Sequence, residues 1–285
     1  MTDYQFNFVG VIGDPVAENP AVPMTQAAFD KMNLKWKYIA IQVKPDGLGD
    51  AIRGLRGIYN MMGANITMPY KTDVIQYLDE LSPDAEIMGA VNLIRKDGEK
   101  LIGENTDGKG FMRSLIEDAD VNAKGKKVVL LGAGGAARAI AVELALSGAS
   151  SIIIVNRTES RAKALASLLI EKTNIRAKSD KWDTSYIIPE DTNILINATS
   201  IGFSPDINSR PDIEYASISR GMIVCDVVMN PPRTLFLQEA EIRGATVIDG
   251  LGMIAYQGAI GFKMWTGIGA PVQVMKDALK HEFNI

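Results

Sequence analysis

No stretch of this chain constrains its fold more than Lys127-Val-Val-Leu-Leu-Gly-Ala-Gly-Gly-Ala-Ala-Arg138. An apolar run breaks into the spacing G-x-G-x-x-A, at Gly132, Gly134 and Ala137, and then passes into a helical pattern. A second apolar run at 152–155 ends in Asn156-Arg157-Thr158. Strand, tight turn, helix and strand in that order form the unit that holds a dinucleotide. Gly132 permits the turn, and Gly134 has no side chain to keep a diphosphate off the helix N-terminus. Ala137 is small enough for close helix–strand packing. The unit begins near mid-chain, so more than a hundred residues precede it and must form something else.

A length of 285 residues is enough for two domains with cores that need no staples. Net charge is −4 and no long basic run occurs, which argues against nucleic acid as a partner. No apolar run approaches the length of a membrane span, and Met1-Thr-Asp-Tyr-Gln-Phe-Asn lacks a charged-then-apolar targeting pattern. A cytoplasmic protein with a small-molecule substrate, monomeric or homodimeric, is expected. The single cysteine, Cys225, lies in an apolar run and reads as a small core residue. The single histidine, His281, is the fifth residue from the C-terminal end. Acid–base chemistry must then use Lys, Asp, Glu or Tyr, and no metal site is expected.

The first part of the chain alternates. Strands are predicted at 6–12, 36–43 and 63–67, and helices at 25–32, 47–58 and 72–81, the last closed by Ser82-Pro83. A hairpin turns at Asp97-Gly98. This order implies an open α/β domain with a mostly parallel sheet. After a helix at 108–118 and a linker at 121–125 comes the dinucleotide unit. Its domain continues with a helix at 136–147, a strand at 151–155 and a helix at 160–172. Strands at 194–197 and 222–227, a helix at 234–243 and a strand at 246–248 complete it. Gly250-Leu-Gly252 reads as a flexible break. Helices at 254–265 and 271–282 then have no strand left to cross to, so the chain is expected to return to the first domain. The expected division is 1–107, completed by 253–285, as a substrate domain and 108–252 as a Rossmann-type dinucleotide domain, with a cleft between them.

Cofactor choice is set at the end of the second strand of the unit. An NAD site carries an acidic residue there, on the ribose 2′-hydroxyl. This chain has Asn156, Arg157 and Thr158, with Arg161 one helical turn on. A guanidinium forks onto a 2′-phosphate that a carboxylate would repel, so NADP is favoured over NAD. The alternative is that Arg157 and Arg161 are solvated charges at a helix start. In the first domain, Asn65-Ile-Thr-Met-Pro-Tyr-Lys71 and Asn105-Thr-Asp-Gly108 place polar residues at strand and helix ends, where ligands collect in open sheets. Lys71 with Asp107 is either a proton-transfer pair or an ordinary ion pair.

These segments occur in one order with Gly89-Ala-Val-Asn92, Asn197-Ala-Thr-Ser-Ile-Gly202, Asp226-Val-Val-Met-Asn-Pro231 and Gly250-Leu-Gly-Met253 with Gln257. The series resembles the shikimate/quinate dehydrogenase family over nearly the whole chain. The resemblance implies reversible hydride transfer between NADP(H) and a carbon of an alicyclic hydroxy acid. It makes Lys71 the acid–base group, with Asp107 beside it. It gives Asn65, Thr67, Asn92 and Gln257 to the substrate's hydroxyls. Gly132, Ala133, Gly134, Gly135, Ala136 and Ala137 would hold the diphosphate, and Asn156, Arg157, Thr158 and Arg161 the 2′-phosphate. Thr199, Val227, Gly250 and Met253 would line the nicotinamide side.

One segment departs from the family pattern. Where the family carries Ser-x-Ser or Ser-x-Thr for the substrate carboxylate, this chain has Glu18-Asn-Pro-Ala-Val-Pro23, which puts Asn19 and Ala21 at the two positions. Asn19 can donate through its amide, whereas Ala21 has nothing to donate. Loss of a hydrogen bond to a charged group costs about 1.5–3 kcal/mol. Met229 also stands where the family has a tyrosine that reaches the substrate. Either the substrate differs from shikimate at its acid end, or Thr25, Gln26 or backbone amides take over the carboxylate. A second reading of the chain keeps the fold and the nucleotide without catalysis, as a regulator. Retention of Lys71 and Asp107 argues against it.

Overall fold

The computed structural model describes residues 5–285 and divides into two compact units. The first four residues, part of the stretch read for a targeting signal, lie outside the described residues. Among the described residues, no helix is long and apolar enough to cross a membrane.

One unit runs to Thr106 and takes in Ala255–Ile285. Its elements are β1 (Asn7–Gly13), α1 (Ala21–Lys31), β2 (Trp36–Gln42), α2 (Leu48–Gly57), β3 (Met61–Ile66), β4 (Glu80–Leu81), α3 (Pro83–Met88), β5 (Leu93–Asp97) and β6 (Lys100–Glu104). The sheet order is β2-β1-β3-β5-β6-β4. β1 pairs in parallel with β2 and β3, and β4 with β6, while β3–β5 and β5–β6 are antiparallel. Ile12, Ile52, Leu55, Ile66 and Ile94 belong to one buried cluster. The opposite face is aromatic: the Phe29 ring lies 5.2 Å from Phe262 and 5.4 Å from Trp36, centroid to centroid.

The segment expected to be a helix at 72–81 is instead a short 3-10 turn, Asp73–Tyr77, followed by β4. Asp79 draws the chain out of the helix. Its backbone N–H donates to Leu101 O, its carboxylate accepts from Leu101 N–H, and Arg56 clamps its side chain. Pro83 does not close a helix but opens α3, at the first helical position where a missing N–H costs nothing.

The other unit is Asp107–Ile254. It contains α4 (Asp107–Ala119), β7 (Lys127–Leu131), α5 (Gly135–Leu146), β8 (Ser151–Asn156), α6 (Glu159–Thr173), β9 (Arg176–Lys181), β10 (Ile194–Asn197), β11 (Ile223–Asp226), α7 (Leu235–Ile242) and β12 (Thr246–Ile248). The order β12-β11-β10-β7-β8-β9 is parallel throughout. That is the Rossmann order, with its switch point between β7 and β10. β9 is polar along its length (Arg-Ala-Lys-Ser-Asp-Lys), as an edge strand is, and carries no apolar alternation to mark it in the sequence. Cys225 is fully buried in β11, and burial pushes its thiol pKa up.

Two helices end the chain, α8 (Gly250–Thr266) and α9 (Val272–Glu282), and the unit boundary falls within α8. Gly250-Leu-Gly252 is therefore no flexible break but the buried first turn of α8. A Cβ on Gly250 would stand 2.5 Å from Val228 O, and one on Gly252 would run into Ser114 and Asp118. Close packing, not mobility, requires glycine there.

Candidate functional site

In the first unit polar side chains gather around the C-terminal part of β3. The Tyr38 hydroxyl donates to Asn65 Oδ1 (2.7 Å), and Asn65 Nδ2 donates to Asn92 O (2.9 Å). Burial raises the Tyr38 pKa, which keeps that hydroxyl a donor. Asn92, only 2% exposed, accepts the Thr106 N–H (2.7 Å) and donates from Nδ2 to Thr106 Oγ1 and Gln257 Oε1, both at 3.0 Å. With its Oε1 engaged, Gln257 keeps its NH2 as a donor. Thus Asn65, Asn92 and Gln257 are brought together, joined by Tyr38 and Thr106, which the sequence reading missed. Nothing in Trp36-Lys-Tyr-Ile-Ala-Ile marks Tyr38 as more than a strand aromatic.

Thr67 donates its N–H to Ile12 O (2.9 Å) and accepts from Tyr70 N–H (3.0 Å), which turns the chain just before Lys71. The Tyr70 ring is fully buried with its hydroxyl on Val43 O, and Val91 N–H holds the Lys71 carbonyl at 2.7 Å. The Lys71 backbone is pinned while its side chain is half-buried. Asp107, 8% exposed, opens α4 and belongs to the other unit. Asn19 and Ala21 lie at the entry to α1, where Asn19 Oδ1 accepts the Ala21 N–H at 3.0 Å.

In the second unit the switch point is built from glycine. Gly132 has φ +111°, and a Cβ there would meet Ala198 O at 2.8 Å. Its N–H donates to Val155 O (2.8 Å), so the turn is tied to β8. Gly134 is the N-cap of α5, with no side-chain cap, and neither Gly134 nor Gly135 would present a Cβ to any atom within 4 Å. Uncapped first-turn N–H groups facing open space suit a diphosphate. Ala133 and Ala136 are half-buried and Ala137 is fully buried in this turn. At the end of β8, Asn156 folds back onto Thr158 O (2.9 Å), leaving Arg157, Thr158 and Arg161 exposed. Arg157 lines an open pocket of about 310 Å³ with Trp182, Asp183, Thr184 and Arg210. The residues present therefore fit a 2′-phosphorylated dinucleotide: two free guanidiniums, a hydroxyl, and no carboxylate at Asn156. Trp182 and Thr184 were hidden from the sequence reading with β9, which precedes them.

A buried polar chain runs from Thr199, one of the residues expected on the nicotinamide side. Thr199 Oγ1 donates to Asn197 Oδ1 (2.6 Å), and Asn197 Nδ2 donates to Asp226 Oδ1 (3.0 Å). Asp226 also accepts the Val228 N–H (3.0 Å) and the Thr234 hydroxyl (2.7 Å). The chain joins the ends of β10 and β11 to the start of α7. Val227 N–H is held by Asn197 O (3.0 Å), and Gly250, where a Cβ would stand 2.6 Å from Val227 O, is buried with Met253 at the start of α8.

Burial pushes the Asp226 carboxyl up to about 6, and its three hydrogen bonds restrain the rise. Because the folded pKa exceeds the unfolded value of about 3.9, ionising Asp226 disfavours the fold. That penalty is absent below about pH 4, grows as pH rises and is complete above about pH 6. Asp226→Asn suits the site: the amide oxygen takes the two donors at Oδ1, and its NH2 faces a hydroxyl that can accept. The variant's stability relative to wild type is expected to rise by about 1–1.5 kcal/mol between pH 5 and pH 8. Urea unfolding at the two pH values measures it, and an unchanged difference refutes the buried-carboxylate account.

Three family models match the chain: "Shikimate dehydrogenase substrate binding domain" over residues 11–94, "Shikimate / quinate 5-dehydrogenase" over 114–234, and "Shikimate 5'-dehydrogenase C-terminal domain" over 250–280. A shikimate dehydrogenase (NADP(+)) of Desulforamulus reducens is 42% identical over 272 residues, covering 95% of this chain and 93% of that one. The ligand-free crystal structure of 5-ketofructose reductase from Gluconobacter sp. strain CHM43 superposes with a TM-score of 0.94 at 42% identity, covering 98% of this chain and 99% of that one. A shikimate dehydrogenase crystallised with NADP+ gives a TM-score of 0.91 at 39% identity, covering 99% and 98%. The chain belongs to the shikimate dehydrogenase family of NADP-dependent oxidoreductases.

Proposed function

We propose that this enzyme interconverts a secondary hydroxyl and a ketone on a polyhydroxylated, shikimate- or quinate-like substrate whose acid end differs from that of shikimate. The mutually oriented amides of Asn65, Asn92 and Gln257 carry the reading, because their bonds fix Asn65 Nδ2 and Gln257 Nε2 as donors where several hydroxyls are to be told apart. NADP(H), when bound, supplies or takes the hydride. Lys71 manages the proton. Its amine accepts the hydroxyl proton in the oxidising direction, and its ammonium returns it to the ketone oxygen in the reducing direction. Asp107 is the carboxylate that orients it. Arg157, Thr158 and Arg161 take the 2′-phosphate and the Gly132–Ala137 turn takes the diphosphate.

The altered acid end rests on Asn19 and Ala21, which stand where a carboxylate-binding pair of hydroxyls is expected. The relatives support a divided family. Some are named for shikimate, whereas the Gluconobacter protein is named for a keto sugar. The test is oxidation with NADP+ of shikimate, quinate and uncharged polyols, with NAD+ in parallel. Turnover of an uncharged polyol above both shikimate and quinate, which share the carboxylate, is expected. Shikimate turnover at an ordinary kcat/KM of about 10⁵ M⁻¹s⁻¹ refutes the altered acid end. NADPH binding without turnover across the panel favours a regulator.

A further inference from the structure

The entry to α1 shows which kind of group can stand where a carboxylate would. An anion held there needs donors, and the first turn of α1 has none to give. Ala21 N–H is bonded to Asn19 Oδ1 at 3.0 Å and Val22 N–H to Asn19 O at 3.1 Å. Pro20 and Pro23 carry no N–H, and Met24 N–H closes on Pro20 O at 3.3 Å. The nearby side chains are no freer. Gln26 accepts Tyr38 N–H with its oxygen (3.0 Å) and donates to Asp30 (2.8 Å) and to Trp36 O (3.4 Å). Thr25 is 1% exposed. The helix-entry substitutes for the missing serine hydroxyls are thus either engaged within the fold or, in the case of Thr25, buried.

Charge points the same way. Residues 14–30 contain Asp14, Glu18 and Asp30 and no lysine or arginine. Glu18 is exposed and lines, with Pro15, Val16, Ala17, Asn19 and Pro20, an open pocket of about 470 Å³. A carboxylate seated beside Glu18 is repelled. A hydroxyl is suited to it. The Glu18 carboxylate accepts the hydroxyl proton, and Asn19 Nδ2, whose sister oxygen is already engaged, donates to the hydroxyl oxygen. An amine suits Glu18 but not the Asn19 donor.

We infer that the segment from Pro15 to Ala21 selects an uncharged, hydroxyl-bearing end of the substrate, with Glu18 and Asn19 as its specificity-determining residues. This inference rests on the dehydrogenase reading above and on that segment facing the substrate. The decisive pair of probes is shikimate and its hydroxymethyl analogue, in which CH2OH replaces the carboxylate and the ring hydroxyls are unchanged. Wild-type kcat/KM is expected to favour the hydroxymethyl analogue by at least tenfold. In the triple variant Glu18→Gln, Asn19→Ser, Ala21→Ser, that ratio is expected to move toward shikimate by at least a hundredfold. A wild-type preference for shikimate, a ratio unmoved in the variant, or a stronger preference for the aminomethyl analogue overturns the inference and leaves the dehydrogenase reading intact. If wild type binds NADPH but neither binds nor turns over any of the three probes, both readings fall together.

Discussion

Lys71→Ala is expected to lower kcat by about 10²–10⁴-fold, the contribution of a positioned acid–base group, while the affinity for NADPH is unchanged. The two effects separate because of where the backbone is held. Tyr70, fully buried, anchors the turn before Lys71, and Val91 N–H fixes the Lys71 carbonyl at 2.7 Å. Truncation beyond Cβ therefore leaves the turn in place and removes only the amine. Asn65, Asn92 and Gln257 keep their bonds to one another, to Tyr38 and to Thr106 when Lys71 is truncated. Substrate KM should then change much less than kcat, the pattern of an interaction made chiefly in the transition state. Steady-state kinetics with a fluorescence titration of NADPH measures both quantities. A variant that keeps more than a tenth of wild-type kcat removes Lys71 from the proton-transfer role.

The nucleotide-binding half of this fold is legible because its signals are local. A parallel strand buried on both faces reads as an unbroken apolar run, and Gly132 announces the turn that follows β7. What stays illegible depends on contacts distant in sequence. The polar character of β9 is explained only by its place at the sheet edge. The helix expected at 72–81 fails because Asp79 meets Leu101 and Arg56, which local propensity cannot anticipate. Gly250 and Gly252 look like a hinge in sequence, yet each is glycine because another segment passes too close for a Cβ. The same holds for the site. Lys71 and Asp107 are proposed from motifs, whereas the Asn92–Gln257 bond joins residues 165 positions apart, and Tyr38 reaches Asn65 across 27. The loop at Asn19 illustrates the point in reverse. Sequence alone left Gln26 and the α1 amides as substitute donors, and only the hydrogen bonds show them engaged.

Gly132→Ala and Gly134→Ala should part company, although both alter one turn. At Gly132 a side chain must adopt φ +111°, outside the regions open to L-residues, and its Cβ would press on Ala198 O at 2.8 Å. The strand-end segment carrying Thr199 must shift or the turn must open. Backbone strain of this kind costs about 1–3 kcal/mol, before the steric contact is counted. Gly132→Ala is thus expected to destabilise the second unit by at least that amount and to weaken NADPH binding by a hundredfold or more. Gly134 has φ −88° and ψ −169°, an extended conformation that alanine adopts freely, and its Cβ would enter empty space. Gly134→Ala should leave the unfolding midpoint within a few degrees of wild type. Its methyl group nonetheless occupies the approach to the uncapped first turn of α5, so NADPH affinity is expected to fall by tenfold or more. Urea unfolding without nucleotide, paired with an NADPH titration, reads the two effects separately. Wild-type affinity in Gly134→Ala would place the diphosphate elsewhere than on this turn, and wild-type stability in Gly132→Ala would show that Ala198 yields without cost.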